Sequence, residues 1–491
     1  MATSARKALA WSFAERYLGL LVSIGSTVLL SRLLTPEQVG IYSMCAAFTA
    51  VAGILRDFGV SEYLIQEKDL THDKLRAAYA LAFGIAWSIA AVIFFSRHLV
   101  ADFYAEPRVA DVLLVLTLHF LILPISSPAF ALMNRELAFR QIFFLQLVCN
   151  ATQALTAVTL AWLGFGVMSL AWGPIANVAM QSLILLWLRP KEVLTRPGWR
   201  EIRTVLRFGS MFVTSRTIEV LSRNAHEPII AKHYGFESVG LFSRAYGLID
   251  LFHLNVGAAI VRVATPAFAA QHRAGQALGV AYARATALFV SISWPFFGFV
   301  ALTAEPIIRV MFGTQWIAAA PIASVLALTA IPHGLMALAP QMLSATGHVA
   351  RRLRVTLLFS PVHVVGVFVA SYFGLLAVAS VWALSNLVML GLYLQELRRT
   401  VGLGTMELAR AVTPSAIVAA GSVAVQAAVM LLLQRAQVPA LIVLMLTFGA
   451  GLAAWTLAAR LIRHPAYEEL GRALDAFRRR NEKTKPNPGP G

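Results

Sequence analysis

The feature that most constrains this chain is a succession of apolar windows, separated by charge, proline or glycine. A bilayer core takes about 20 apolar residues of helix to cross, and lipid offers no partner to an exposed peptide group, so such windows predict spanning helices. Fourteen are found: Ala10 to Leu34, Val39 to Leu64, Ala77 to Ser96, Val112 to Met133, Gln141 to Leu163, Val167 to Leu188 and Val205 to Ala231 in the first half. The second half continues with Val239 to Arg262, Tyr282 to Ala304, Pro321 to Ala345, Val355 to Phe373, Leu375 to Leu397, Val412 to Leu433 and Val438 to Leu461. The predicted fold is an all-α membrane protein of about 14 transmembrane helices. Only 13% of the 491 residues are charged and 58% are apolar, against about 25% charged in soluble domains. So little charge cannot cover a water-facing surface.

The net charge of +17 is explained by topology rather than by a nucleic-acid partner, because Lys and Arg accumulate on cytoplasmic loops. An even span count puts both termini on one side. Of the 41 Lys and Arg, thirty then fall on that side, six fall opposite (Arg32, Arg97, Arg108, Lys232, Arg309, Arg435), and five lie within spans (Arg16, Arg56, Arg216, Arg223, Arg244). The asymmetry predicts cytoplasmic termini. Arg6 and Lys7 resemble the start of a signal peptide, but Glu15 and Arg16 interrupt its apolar region, so this stretch is read as a retained first span. Cys45 and Cys149 lie in apolar runs far apart, which leaves no disulfide or zinc framework.

An internal repeat appears at an offset of 200 residues. Arg32 to Ser43 reads RLLTPEQVGIYS and Lys232 to Ser243 reads KHYGFESVGLFS, so Glu37, Val39 and Gly40 coincide with Glu237, Val239 and Gly240. A weaker echo joins LMNRELAFR from Leu132 to LSATGHVAR from Leu343. Six spans between the strong copies give them the same orientation, a parallel repeat related by an axis near the membrane normal. The predicted organisation is an N-terminal six-helix lobe over 1–188, a basic cytoplasmic elbow over 189–204 and a pseudo-symmetric six-helix lobe over 205–397. Two additional spans over 398–463 and a basic amphipathic tail over 464–491 complete it. In the elbow region Trp199, Ile202 and Leu206 recur at helical spacing, and in the tail Leu470, Leu474 and Phe477 do so beside Arg472, Arg478, Arg479 and Arg480. Such segments suit the anionic inner leaflet.

Charges inside spans cost about 2.5–3.5 kcal/mol each near a helix centre, so they need a use. In the seventh span Arg216, Glu219, Arg223, His226 and Glu227 share an arc of about 100°. The matching positions of the first span are Arg16, Gly19, Ser23, Ser26 and Thr27, and two such stripes would face each other across a hydrated space between lobes. A guanidinium fork suits phosphate or carboxylate and stays charged, which makes Arg16, Arg216 and Arg223 receivers of an anionic headgroup. Glu219, Glu227 and His226 are candidates for a coupling proton or cation. The rival reading is a buried ion-pair network, since Arg216 with Glu219 and Arg223 with Glu227 are spaced to pair. Arg56 with Asp57 and Arg244 with Asp250 suit either a cavity wall or structural pairing. Gln141, Gln146, Asn150 and Gln153 of the fifth span are within reach of one face, as cavity wall or interhelical contact. His119, His253, His333 and His363 lack ligand spacing and suit helix contacts better than metal. No nucleophile elbow, phosphate loop or zinc motif is present, so no catalytic residue is assigned.

RLLTPEQVGIYS, followed by LRDFGVSEYLIQEKD and LRAAY, and then FGSMFVTSRTIEVLSRNAHEPIIAKHYGFESVGLFSRAYGL, resemble the polysaccharide transporter family of bacteria. These are Wzx-like lipid-linked oligosaccharide flippases of the multidrug/oligosaccharidyl-lipid/polysaccharide exporter (MOP) superfamily. The resemblance covers roughly the first 400 residues. It implies alternating-access movement of a polyprenyl-diphosphate-linked repeat unit across the bacterial inner membrane, for exopolysaccharide, capsule or O-antigen. It also implies a cationic cavity, no cofactor, a driving gradient of H+ or Na+, and polymerase and chain-length or export proteins as partners. At His226, where many relatives carry an acidic residue, this chain departs. The alternatives are a cation-coupled drug or lipid II exporter of the same superfamily, or a membrane polymerase or ligase. The last is disfavoured by short outward loops at Arg97 to Asp111 and Glu305 to Ala320.

Overall fold

The computed structural model describes residues 2–436 and 438–467, apart from the side chains of 2–16, 208–216, 434 and 435. The predicted tail helix beyond 467, and the side chains of Arg16, Arg216 and Arg435, lie outside the described residues. The first half carries α1 (Ala2–Leu33), α2 (Pro36–Asp57), α3 (Val60–Gln66), α4 (His72–Tyr104), α5 (Arg108–Arg135), α6 (Phe139–Trp162), α7 (Val167–Leu188) and α8 (Pro190–Val193). Then follow α9 (Ile202–Asn224), α10 (His226–Phe252), α11 (Ala258–Arg273), α12 (Leu278–Met311), α13 (Ala320–Thr329) and α14 (Ala339–Ala345). The last four are α15 (Val349–Ala370), α16 (Leu375–Val401), α17 (Thr405–Arg435) and α18 (Ala440–Leu461).

The protein is an all-helical, multi-pass membrane protein. Twelve segments among the described residues are long and apolar enough to cross a bilayer. Of α1 only Tyr17–Leu33 enters that assessment, and Thr217–Arg273 falls in one segment of 57 residues, although its helix is interrupted at Gly235 (φ 77°, ψ 175°), between the two spans that the sequence predicts.

Local chemistry sets the element boundaries. Thr35 and Gln38 form a reciprocal capping box at the start of α2, with Pro36 in its first turn. The same helix ends where Phe58 (φ 42°) and Gly59 (φ 67°) turn left-handed and redirect the chain into α3. The chain forms two compact units, one of residues 1–243, 311–316 and 367–375 and one of residues 244–310, 317–366 and 376–491.

In the first unit α1 lies on α6, α6 on α7, α4 and α7 on α5, and α9 on α2, α3 and α4. The two repeat copies meet directly. A Cβ on Gly40 would collide with the backbone carbonyl of Phe236 and come within 2.9 Å of the Gly240 nitrogen. A Cβ on Gly240 would collide with the Pro36 carbonyl and lie 3.2 Å from the Gly40 nitrogen. Phe236 is Pro36 shifted by 200, so the contact is symmetric, and Ser43 Oγ sits 3.0 Å from Ser243 Oγ across it. The crossing brings main chains together and admits no side chain.

Side chains from distant segments close the frayed helix ends of this unit. Trp316 Nε1 donates to the Ser31 carbonyl at 2.7 Å, and Gln315 Nε2 donates to Ser31 (2.6 Å) and Leu34 (3.1 Å). These are last-turn carbonyls of α1, which have no partner within their own helix. Tyr234 Oη likewise donates to Ser371 and Lys232 Nζ to Phe103, each at 2.6 Å. Residues 311–316 and 367–375 belong to the first unit through contacts of this kind.

The second unit is built round Phe268, Tyr282, Val290, Met342, Tyr393 and Leu397. The sequence predicts one continuous span over Pro321 to Ala345, but the helix is broken into α13, a tight turn over Pro332–Leu335, and α14. Pro332 supplies no amide for the Leu328 carbonyl, which takes the Ile331 amide instead at 3.2 Å, and the break in the helix leaves further carbonyls without regular helical partners. They are captured by Asn386 Nδ2 on Thr329 (2.8 Å), Trp294 Nε1 on Ile331 (2.9 Å) and Tyr282 Oη on Leu335 (2.9 Å). The last two helices dock on α12 through polar groups: Ser415 Oγ donates to Ala287 (2.8 Å) and Trp455 Nε1 to Ser291 (2.7 Å).

Candidate functional site

The charged stripe predicted for the seventh span spreads over the end of α9 and the start of α10, with a one-residue interruption at Ala225. Pro228 falls in the first turn of α10, where its missing donor costs nothing. Glu219 and Arg223 are exposed, Glu227 is half-buried and His226 is buried. The structure brings Arg223 and His226 together: His226 Nδ1 lies 3.1 Å from the Arg223 carbonyl, and its ring leans on Phe242 at 5.0 Å. Tyr104 Oη donates to the Pro228 carbonyl at 3.3 Å and ties α4 to this junction.

Arg56 occupies the last turn of α2 and is half-buried. The adjacent Asp57 is its electrostatic neighbour and also accepts from Ser61 Oγ at 2.8 Å through Oδ1. Among the described residues the Arg56 guanidinium makes no hydrogen bond and no ion pair within 4.0 Å. A membrane-embedded guanidinium held this way is available to an anion. Arg244 and Asp250 are half-buried on α10 in the second unit. Of the scattered histidines, His363 Nδ1 is 2.9 Å from Ser385 Oγ and stacks on Phe359, an interhelical contact. His253 and His333 place their rings 4.7 Å apart.

Other charges are spent on structure. Arg108 is gripped by Glu106 (2.7 Å) and by Glu37 of the first repeat copy (2.5 Å), and Lys74 pairs with Glu67 at 2.9 Å. Arg189 joins Glu136 (2.6 Å) and Glu192 (2.9 Å) and donates to Gln141 at 3.4 Å. That donation separates Gln141 from the other fifth-span amides. The Arg189 hydrogen bond holds the Glu136 carboxyl below the usual carboxylate range. A carboxyl with a lowered folded-state pKa stabilises fully above its unfolded value and loses this as pH falls through the lowered one. Melting curves should therefore show an acid-side loss that Arg189→Gln flattens. It amounts to about 1 kcal/mol at most, because Glu136 is half exposed.

The elbow is anchored rather than loose. Gly198 donates its amide to the Arg76 carbonyl at 3.0 Å, and Arg76 Nε donates to the Arg196 carbonyl at 3.1 Å. Trp199 is left 70% exposed between Arg196 and Arg200.

Comparison with known proteins places this arrangement. The lipopolysaccharide biosynthesis protein WzxC of Escherichia coli (strain K12) is 23% identical over 325 residues, 65% of this chain and 66% of that protein. The teichuronic acid biosynthesis protein TuaB of Bacillus subtilis (strain 168) is 24% identical over 326 residues, 64% of this chain and 66% of that protein. The matches thus span just under two-thirds of these relatives' own lengths. Among solved structures, the lipid II flippase MurJ in an inward closed conformation shares the fold at a TM-score of 0.75, with 11% identity, over 94% of this chain and 99% of its own. The family described as "Polysaccharide biosynthesis protein" matches residues 29–321, which include both repeat motifs, the Arg56 turn and the α9–α10 junction. With more than half its length inside that match, the chain belongs to the polysaccharide biosynthesis protein family.

Proposed function

We propose that the protein moves a polyprenyl-diphosphate-linked oligosaccharide from the cytoplasmic to the outer leaflet of the bacterial inner membrane by alternating access. The finished polymer is an exopolysaccharide, capsule or O-antigen. The observation that carries this reading is family membership in polysaccharide biosynthesis on a fold shared with a lipid II flippase. Arg56, which makes no hydrogen bond or ion pair within 4.0 Å among the described residues, and the exposed Arg223 supply cationic groups for a diphosphate. Arg16, Arg216 and Arg244 complete the proposed anion set. Glu219, His226 and Glu227 couple the movement to an H+ or Na+ gradient. Both termini face the cytoplasm, a reading that the distribution of Lys and Arg supports. The elbow rests on anionic inner-leaflet lipids through Trp199 and its neighbouring arginines, and the polymerase and export proteins of the pathway act on the delivered unit.

The test is to delete the gene and ask on which leaflet the completed lipid-linked unit accumulates. Cytoplasmic accumulation with polymer lost is the expected result. Single units on the outer leaflet would show that translocation survives without the protein and would reassign it to polymerisation or ligation.

A further inference from the structure

α6 presents two opposite faces in the middle of the membrane. Phe144, Val148 and Leu155 are exposed by 46%, 42% and 68% and form the face suited to lipid. At about 100° per residue, Gln146, Asn150 and Gln153 lie together within about 60° and stand about 180° from that apolar face. All three amides are half-buried. Asn150 is about 16 Å along a helix about 36 Å long, so the set lies at the depth where water is scarcest.

These amides point between α1 and α7. Gly19 of α1 approaches Asn150, whose Nδ2 lies 3.7 Å from where a Gly19 side chain would begin, and Gln153 packs on Gly173 of α7. Asn177 of α7 donates to Asn150 Oδ1 at 3.4 Å. Among the described residues, Gln146 and Gln153 make no side-chain hydrogen bond. An amide carries two donors and an acceptor with two lone pairs, and leaving them unmet in a bilayer is costly. With no described side chain meeting the two glutamines, they are open to a polar ligand during the working cycle.

The proposed cargo has three chemical parts. The polyprenyl tail needs apolar surface, and the diphosphate needs cations. Only the saccharide, with hydroxyls that both donate and accept, matches an uncharged amide set. We propose that Gln146, Asn150 and Gln153, with Asn177, form the saccharide subsite of this transporter and take the hydroxyls of the repeat unit. This rests on the reading of the cargo as a lipid-linked oligosaccharide and adds which residues read its sugar.

The experiment uses the full-length protein in nanodiscs and two probes: undecaprenyl diphosphate, and the lipid-linked oligosaccharide extracted from cells lacking the protein. Asn150→Leu with Gln153→Leu keeps side-chain volume near the original while removing both amides. It should weaken glycolipid binding about thirtyfold and leave undecaprenyl diphosphate binding within about twofold. Gln146→Met removes an amide that makes no side-chain hydrogen bond among the described residues, so folding is spared, and it should cost about fivefold on the glycolipid alone. Equal losses on both probes, or no loss on the glycolipid, would overturn the subsite. If the unaltered protein binds neither probe, the cargo assignment falls and the subsite with it. Binding of both probes, with no amide effect, overturns the subsite alone.

Discussion

Gly240→Ala is expected to destabilise the protein by about 3 kcal/mol or more and to lower its abundance in the membrane, and Gly40→Ala should do the same. The added methyl at Gly240 would occupy the position of the Pro36 carbonyl, and at Gly40 that of the Phe236 carbonyl. Both obstacles are main chain, so no side chain can rotate away, and relief requires the two repeat copies to separate. Separation would also break the contact between Ser43 Oγ and Ser243 Oγ. Gly247→Ala on the same helix is the control. Nothing lies within 4 Å of a Cβ there, and alanine favours helix over glycine by about 1 kcal/mol. Melting temperatures of the purified proteins decide the matter. A Gly240→Ala protein that melts with the original would mean that the copies do not meet at this crossing.

The same contact shows what could be read in the sequence. A backbone crossing that excludes every side chain leaves a glycine in each strand of the repeat, and a symmetric crossing leaves them at a fixed offset. Gly40 and Gly240 were therefore legible as a repeat, while the fact that they touch was not. Hydropathy located the helices for an equally direct reason, since lipid demands length and apolarity together. It concealed the break in Pro321 to Ala345, because the groups that make the break tolerable, Tyr282, Trp294 and Asn386, come from other helices. The charged stripe was readable as helical spacing, and the structure puts His226 against the Arg223 carbonyl at the α9–α10 junction, with Glu227 next in the chain. Arg56 could be set beside Asp57 from adjacency alone, and the two are electrostatic neighbours, but adjacency does not show the hydrogen bond that Asp57 makes. Asp57 turns to Ser61 one helical turn away, a choice made by the left-handed turn at Phe58 and Gly59. Gln141 was likewise grouped with the fifth-span amides, although about 140° of helix rotation separates it from Gln146. Arg189 draws it to the helix end.

Arg56→Gln is expected to abolish polymer export, by about a hundredfold or more if the guanidinium holds a diphosphate, while leaving the protein as abundant and as stable as before. The two halves of that expectation come from one observation. Arg56 makes no hydrogen bond and no ion pair within 4.0 Å among the described residues, so its removal breaks no direct contact there, and its electrostatic neighbour Asp57 keeps the hydrogen bond from Ser61. A guanidinium near the centre of a spanning helix costs about 2.5–3.5 kcal/mol on insertion scales and less toward a helix end, where Arg56 lies, and glutamine keeps most of the stem at lower cost. Stability should therefore hold or rise. Arg108→Gln gives the opposite signature, because it releases Glu37 and Glu106 from a shared guanidinium and should reduce stability before it touches transport. Arg223→Gln should follow Arg56 in losing export, since its exposed head is placed to meet an anion. Paired measurements of abundance, melting temperature and polymer for the three variants separate the roles. Normal export by the double variant at Arg56 and Arg223 would remove both from the binding set, and a loss of stability at Arg56 would return it to the structural framework.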